Sequence, residues 1–125
     1  LNNFGGRMHY LRWDSPQTLM ALNNAGLQYV NTLTYAGYSG FRCGTCFEYP
    51  GFNPIQDIQT NIRIRPLIVM EVSVLNYMGL GGENAINKIN YLKEICKKVQ
   101  GQFTLLWHNS ELNNEQRNIY LKILD

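Results

Sequence analysis

Two histidines and three cysteines are the first side chains to weigh for chemistry: His9 and His108, and Cys43, Cys46 and Cys96. His108 directly follows the apolar run 103–107, which reads as a buried strand. It therefore stands at the carboxyl end of that strand, where barrel enzymes place their catalytic groups. A histidine can move protons near neutral pH; the plainer reading is a strand-end histidine hydrogen-bonded within a loop. Leu106, two residues earlier, falls on the same side as His108 if the strand alternates. Glu71 closes a second apolar run, 66–70, and is either a site carboxylate or the partner of a neighbouring Lys or Arg.

Cys43 and Cys46 form one Cys-x-x-Cys, which is half of a tetrahedral zinc site. Cys96, on a helix, and the distant His108 are poorly placed to complete it. As a redox pair the motif should open a helix after a strand, yet Glu48-Tyr49-Pro50-Gly51-Phe52 follows and breaks a helix at once. A packed loop is the better expectation, with Arg42 facing the rim of a site. Aromatic residues Trp13, Tyr35, Tyr38, Phe41, Phe47, Tyr49 and Phe52 gather along these loops. Flat rings suit sugar faces, but most of these seven are expected in the core, with one or two exposed.

The elements that must position these groups alternate between strand and helix. Ser15-Pro16 opens a helix that Gly26 closes, with Asp14 or Ser15 available to cap it and Pro16 suited to its first position. The segment 27–33 then alternates as a short strand. From 35 to 66 no period persists, and the stretch reads as a long loop, a candidate site wall. The run 66–72 reads as a buried parallel strand. Ile86, Ile89, Leu92, Cys96 and Val99 recur at spacings of three and four and predict a helix over 83–99, ended by Gly101. A strand over 102–110 and a closing helix with Ile119, Leu121 and Leu124 complete the pattern. Such alternation argues for a parallel sheet with covering helices.

A chain of 125 residues with 45% hydrophobic and 16% charged residues is globular, not disordered. Its net charge of +2 comes from scattered Lys and Arg, which gives no phosphate-binding surface and sets nucleic acid aside as a partner. No apolar run approaches the roughly 20 residues that span a bilayer, so no membrane partner is expected. The odd cysteine count suits a reducing compartment, and a cytoplasmic location is expected. A closed (β/α) barrel usually needs about 200 residues or more, so the strands here are too few for one.

The segments GGRMHYLRWDSPQT, YVNTLTYAGYSGFRCGTCFEYPGF, RPLIVMEVSVL and GQFTLLWHNSEL resemble consecutive blocks of the polysaccharide deacetylase family. More narrowly, they are similar to a bacterial branch associated with surface-polysaccharide loci. The resemblance implies an α/β fold, a partial (β/α) barrel of the deformed polysaccharide-deacetylase type with parallel strands and covering helices. It implies that residues 1–125 are the carboxyl-terminal part of such a domain. The activity implied is metal-dependent removal of N-acetyl groups from amino sugars of a surface polysaccharide.

In that family an early aspartate and a His-x-x-x-His motif hold a divalent, zinc-like metal. This sequence contains neither, so the metal is expected in the parent family and not on this chain alone, with the upstream half of the barrel as a partner. The polysaccharide or oligosaccharide of amino sugars is the other partner. The resemblance makes His108 the general acid that protonates the departing amine after metal-bound hydroxide attacks the amide carbonyl. Arg7 corresponds to an arginine that holds the catalytic aspartate by a bidentate contact, with Arg12 as its rival, and His9 in the same loop could contact sugar. Leu106 would line the acetate pocket, and Leu106, Arg42 and Trp107 are the expected substrate-binding residues. Two acidic positions of the family branch fall on Val30 and Gly37 here, so Glu71 is the candidate to supply the charge that favours a protonated His108. Arg7, Glu71 and His108 are expected on one face, and replacing His108 is expected to alter folding little. The alternatives are a catalytically inactive barrel half with a sugar-binding or structural role, and a Cys-x-x-Cys redox or zinc module.

Overall fold

Two separate sets of apolar side chains organise the computed structural model, which describes residues 4–124, into two units. The first unit runs up to Leu33 and resumes over Phe47–Pro66. The second comprises Thr34–Cys46 and the chain from Leu67 onward.

The first unit begins with β1 (Gly5–Gly6), a 3-10 turn over His9–Leu11, α1 (Gln17–Asn24) and β2 (Tyr29–Val30). Strands β1 and β2 pair in parallel, Gly5 opposite Tyr29 and Gly6 opposite Val30. Only glycine fits at Gly5, because a Cβ there would collide with the Tyr29 ring. Helix α1 differs from expectation at its start. Pro16 itself occupies the capping position and no side chain caps the helix; the Asp14 carbonyl, not its carboxylate, accepts the Thr18 N–H at 2.7 Å. Its end follows expectation. Gly26 takes a positive φ of 80°, and the Leu27 N–H returns to the Leu22 carbonyl at 3.2 Å, a Schellman-type closure.

The stretch 35–66, expected as one irregular loop, contains a β-hairpin of β3 (Tyr49–Asn53) and β4 (Ile58–Ile64). Thr60, Ile62 and Ile64 are buried while Gln59 and Asn61 are exposed, a period of two that Asn, Gln and Thr obscure in the sequence. The Asn53 carboxamide oxygen accepts the N–H groups of Ile55 (3.0 Å) and Gln56 (3.3 Å), a side-chain turn that reverses the chain. Strand β4 lies between β2, to which it is parallel, and β3, to which it is antiparallel, giving the order β1-β2-β4-β3. Pro50 is tolerated because β3 is an edge strand, and a register shift separates it from Phe52. Leu19, Val30, Ile62 and Ile64 form the buried cluster, with Trp13, Leu22 and Tyr49 packed against it.

In the second unit β5 (Val69–Met70) is shorter than the seven-residue strand expected. The backbone turns helical at Glu71 and continues as a π-helix over Ser73–Tyr77, although Leu67, Ile68 and Val69 are fully buried as their composition implies. Helix α2 (Gly82–Lys98) follows, then β6 (Leu105–Leu106) and α3 (Asn114–Leu124). Ala85, Ile86, Ile89, Leu92 and Cys96 bury the inner face of α2 as the spacing predicts, whereas Val99 lies past the helix end and is exposed. On α3 the buried pair is Ile119 and Ile123, one turn apart; Leu121 and Leu124 face outward. The Lys93 ammonium donates to the Ile123 carbonyl at 2.8 Å, satisfying one of the orphan acceptors at the α3 terminus. Strands β5 and β6 are parallel, Val69 opposite Leu105 and Met70 opposite Leu106. The fold is mixed α/β with parallel strands in its sheets, and the described residues form no closed barrel.

Candidate functional site

Parallel pairing brings the carboxyl ends of β5 and β6 together, and the residues just beyond those ends are Glu71 and His108. The two meet. The Glu71 Oε1 accepts the His108 backbone N–H at 2.8 Å and also contacts His108 Nδ1. Because an ionised carboxylate only accepts, a ring bonded to it in this way would donate through Nδ1 and keep Nε2 on its other side. Glu71 is fully buried, whereas the His108 side chain is 46% exposed. The dyad thus has one dry end and one wet end. The second carboxylate oxygen, Oε2, is buried without a hydrogen-bond partner among the described residues. A buried carboxylate in that state leans heavily on the partner it has.

Local sequence explains why Glu71 sits so deep. Val69 and Met70 are held in β5 by the Leu105–Leu106 pairing, and the helical turn that begins at Glu71 directs its side chain inward. Ser73, also fully buried, donates to the carbonyls of Tyr35 (3.3 Å) and Ala36 (2.8 Å), which ties the loop 34–46 to this turn. Sequence reasoning passed over Ser73. The available signal was a small hydroxyl residue within the otherwise apolar stretch Val72-Ser73-Val74-Leu75.

The other expected site residues fall in several places. Along β6, Phe103, Leu105 and Trp107 pack on the apolar cluster of the second unit. Alternation sends Leu106 to the side that carries His108, as anticipated. Trp107 donates its indole N–H to the Glu111 carbonyl at 2.6 Å and meets Tyr120 edge to face at 5.2 Å. Arg42 is exposed; its Nη1 donates to the Thr34 carbonyl at 2.7 Å, and its guanidinium lies 5.9 Å from the Tyr35 ring centre. Tyr35 and Tyr38 are stacked at 4.5 Å, and the hydrogen bond that the Tyr38 hydroxyl makes to Tyr35 raises Tyr38 above its ordinary pKa.

Arg7 belongs to the first unit, while Glu71 and His108 belong to the second. Its guanidinium donates to the Asn31 carbonyl at 2.8 Å and to the Asn31 carboxamide oxygen, and Asn31 donates onward to the Arg65 carbonyl at 2.7 Å. Arg7 therefore grips an amide. His9 and Arg12 are exposed, and the His9 ring lies 4.2 Å from that of Tyr10. The seven loop aromatics divide between the units. Trp13, Tyr49 and Phe41 pack on the cores, and Tyr38, Phe47 and Phe52 are exposed, one more than expected.

Cys46 and Cys96 are buried in the core of the second unit, and Cys43 is half-buried. Burial, with the adjacent Cys46 adding to it, pushes the Cys96 thiol up to about 12. A thiol held that high is protonated at neutral pH, as suits a packed core residue. Among the described residues no three His, Cys, Asp or Glu side chains gather to hold a metal ion. Glu71 and His108 supply at most two donors, so by themselves they do not fit a three-ligand metal site. No helix among the described residues is long and apolar enough to cross a membrane. Comparisons with protein-family models, with curated proteins and with solved structures return no match for this chain.

Proposed function

We propose that the chain supplies the acid–base side of a carbohydrate deacetylase that removes N-acetyl groups from amino sugars. In this reading its parallel strands belong to a partial (β/α) barrel of the polysaccharide-deacetylase type. The observation that carries the reading is the Glu71–His108 dyad at neighbouring parallel strand ends. A ring fixed through Nδ1 presents Nε2 at a constant position, which is what proton transfer to a departing amine requires. In the acid form the ring holds both protons and the buried carboxylate offsets its charge. After Nε2 gives up its proton, the ring remains oriented by the Nδ1–H on Glu71. Leu106, on the same side of β6, suits the wall of a small acyl pocket, and Trp107 braces the strand end from the core side. The metal donors of the family would come from outside these residues. A cytoplasmic location goes with the same reading, because Cys43, Cys46 and Cys96 are free thiols.

The test is acetate release from an N-acetylated amino-sugar oligosaccharide by the protein as its gene encodes it, supplied with divalent metal. Replacing His108 with Ala should lower turnover by about a hundredfold or more and leave KM nearly unchanged, as loss of a general acid does. Full turnover in that variant would remove the assignment. A second reading, carbohydrate binding without catalysis, is favoured by the exposed Tyr38 ring stacked on Tyr35.

A further inference from the structure

The loop 34–46 of the second unit is built more firmly than its irregular sequence suggests. Ser73 holds the Tyr35 and Ala36 carbonyls, the Gly40 N–H bonds the Ile68 carbonyl at 3.0 Å, and Phe41 is anchored in the apolar cluster. Gly40 takes a φ of 158°, near-extended backbone, whereas Gly44 takes a φ of 68° that favours glycine. Upon this frame stand three side chains: Tyr35 and Tyr38, stacked on each other, and Arg42. Tyr38 is 51% exposed. Arg42 is oriented by its bond to the Thr34 carbonyl, and no carboxylate among the described residues pairs with it.

An arginine has five N–H donors and here one nitrogen is engaged by the backbone, so a bidentate edge remains open. A cation held without a carboxylate beside the half-buried Tyr35, on which the exposed Tyr38 stacks, differs from an ordinary surface arginine, whose side chain loses entropy on being ordered. Here the ordering is already done before any ligand arrives, which favours binding. The ring can take the C–H face of a pyranose, and the guanidinium can take a planar carboxylate in a forked contact.

We infer that Tyr35, Tyr38 and Arg42 form a subsite for a sugar that carries a carboxylate, that is, a uronic acid residue of a glycan. The inference rests on the carbohydrate reading above and narrows it to acidic glycans. It does not depend on His108 being catalytic, because the loop binds through its own groups.

The experiment is calorimetric titration of the full chain with a trisaccharide of hexuronic acid and with its neutral hexose counterpart. The acidic sugar should bind about tenfold more tightly than the neutral one, the scale of a charge-assisted hydrogen-bond pair. Arg42→Gln should erase the difference, Arg42→Lys should keep only part of it, and Tyr38→Ala should weaken both sugars. Equal affinity for the two sugars, an Arg42→Gln variant that binds as the parent does, or no binding of either sugar would overturn the inference. His108→Ala serves to separate the two claims. If it abolishes turnover while the Arg42 variants bind normally, the dyad stands and the subsite falls. If it leaves turnover intact while Arg42→Gln loses the acidic sugar, the subsite stands and the dyad falls.

Discussion

At the scale of single residues, Glu71 and His108 depend on each other for reasons of solvation. Glu71 is buried with one oxygen unpartnered among the described residues, so within them the imidazole and the backbone N–H of residue 108 carry its compensation. A strand-end histidine was expected to matter little to folding, and this contact changes that expectation. His108→Ala keeps the backbone bond but removes the ring, and leaves a buried carboxylate partly uncompensated. It should lower stability by about 1–3 kcal/mol, the usual cost of a buried polar group that loses its partner. Urea unfolding should therefore show a lower midpoint with an unchanged slope. An unaltered midpoint would mean that the ring contributes nothing to Glu71. That Glu71 and His108 share one end of a parallel array was legible in the sequence, because chain polarity puts such strand ends together; their direct contact was not, since a Lys or Arg partner for Glu71 fitted the sequence equally well. Arg7 was not legible in the same way. Its partner Asn31 is an amide in a position where the resemblance directs attention to acids, and its unit follows from tertiary contacts that no local pattern carries.

Among the elements, the helices were readable and the hairpin was not. Helix α2 announces itself by five apolar residues at helical spacing, four of which are buried as expected. Strand β4 hides its period of two behind Thr60 and flanking Gln and Asn, and its inward residues become apparent only when a sheet covers them. The same hairpin carries an electrostatic device. Burial alone would raise the Glu48 carboxyl, but hydrogen bonds and charge from Arg65 and Arg63 outweigh it and hold the pKa below its ordinary value. A lowered folded-state pKa contributes stability above the ordinary carboxylate range, and that contribution is lost as pH falls through the lowered value. Because both arginines are partly solvated, Glu48→Gln should cost only about 1 kcal/mol or less near neutral pH. Thermal unfolding of parent and variant should converge as the pH is brought below the carboxylate range; a constant gap would show that the charge is not the source. Where α2 ends, Gly101 leaves room for Cys46, whose sulfur occupies the place a Cβ would take. Gly101→Ala should therefore destabilise by roughly 1–3 kcal/mol through overpacking, and Cys46→Ala in that background should recover part of the loss. No recovery in the double variant would place the strain elsewhere.

For the molecule as a whole, the three cysteines all belong to the second unit, and their burial there sets their accessibility. Cys46 and Cys96 lie within the second unit's core, and Cys43 is half-buried outside it. A thiol-specific chromophoric reagent near pH 8 should modify one cysteine, Cys43, in the folded protein and all three in denaturant. Rapid reaction of all three without denaturant would contradict the packing described. Topology and chemistry meet at one end of a strand pair: β5 and β6 run in parallel, and beyond their carboxyl ends a buried carboxylate meets a partly exposed imidazole. The most direct test is nitrogen-15 magnetic resonance of His108 in its neutral form. Glu71 should hold the proton on Nδ1, so Nδ1 should resonate as a protonated nitrogen and Nε2 as a bare one, and Glu71→Ala should reverse that preference. A neutral His108 that carries its proton on Nε2 in the parent protein would contradict the dyad.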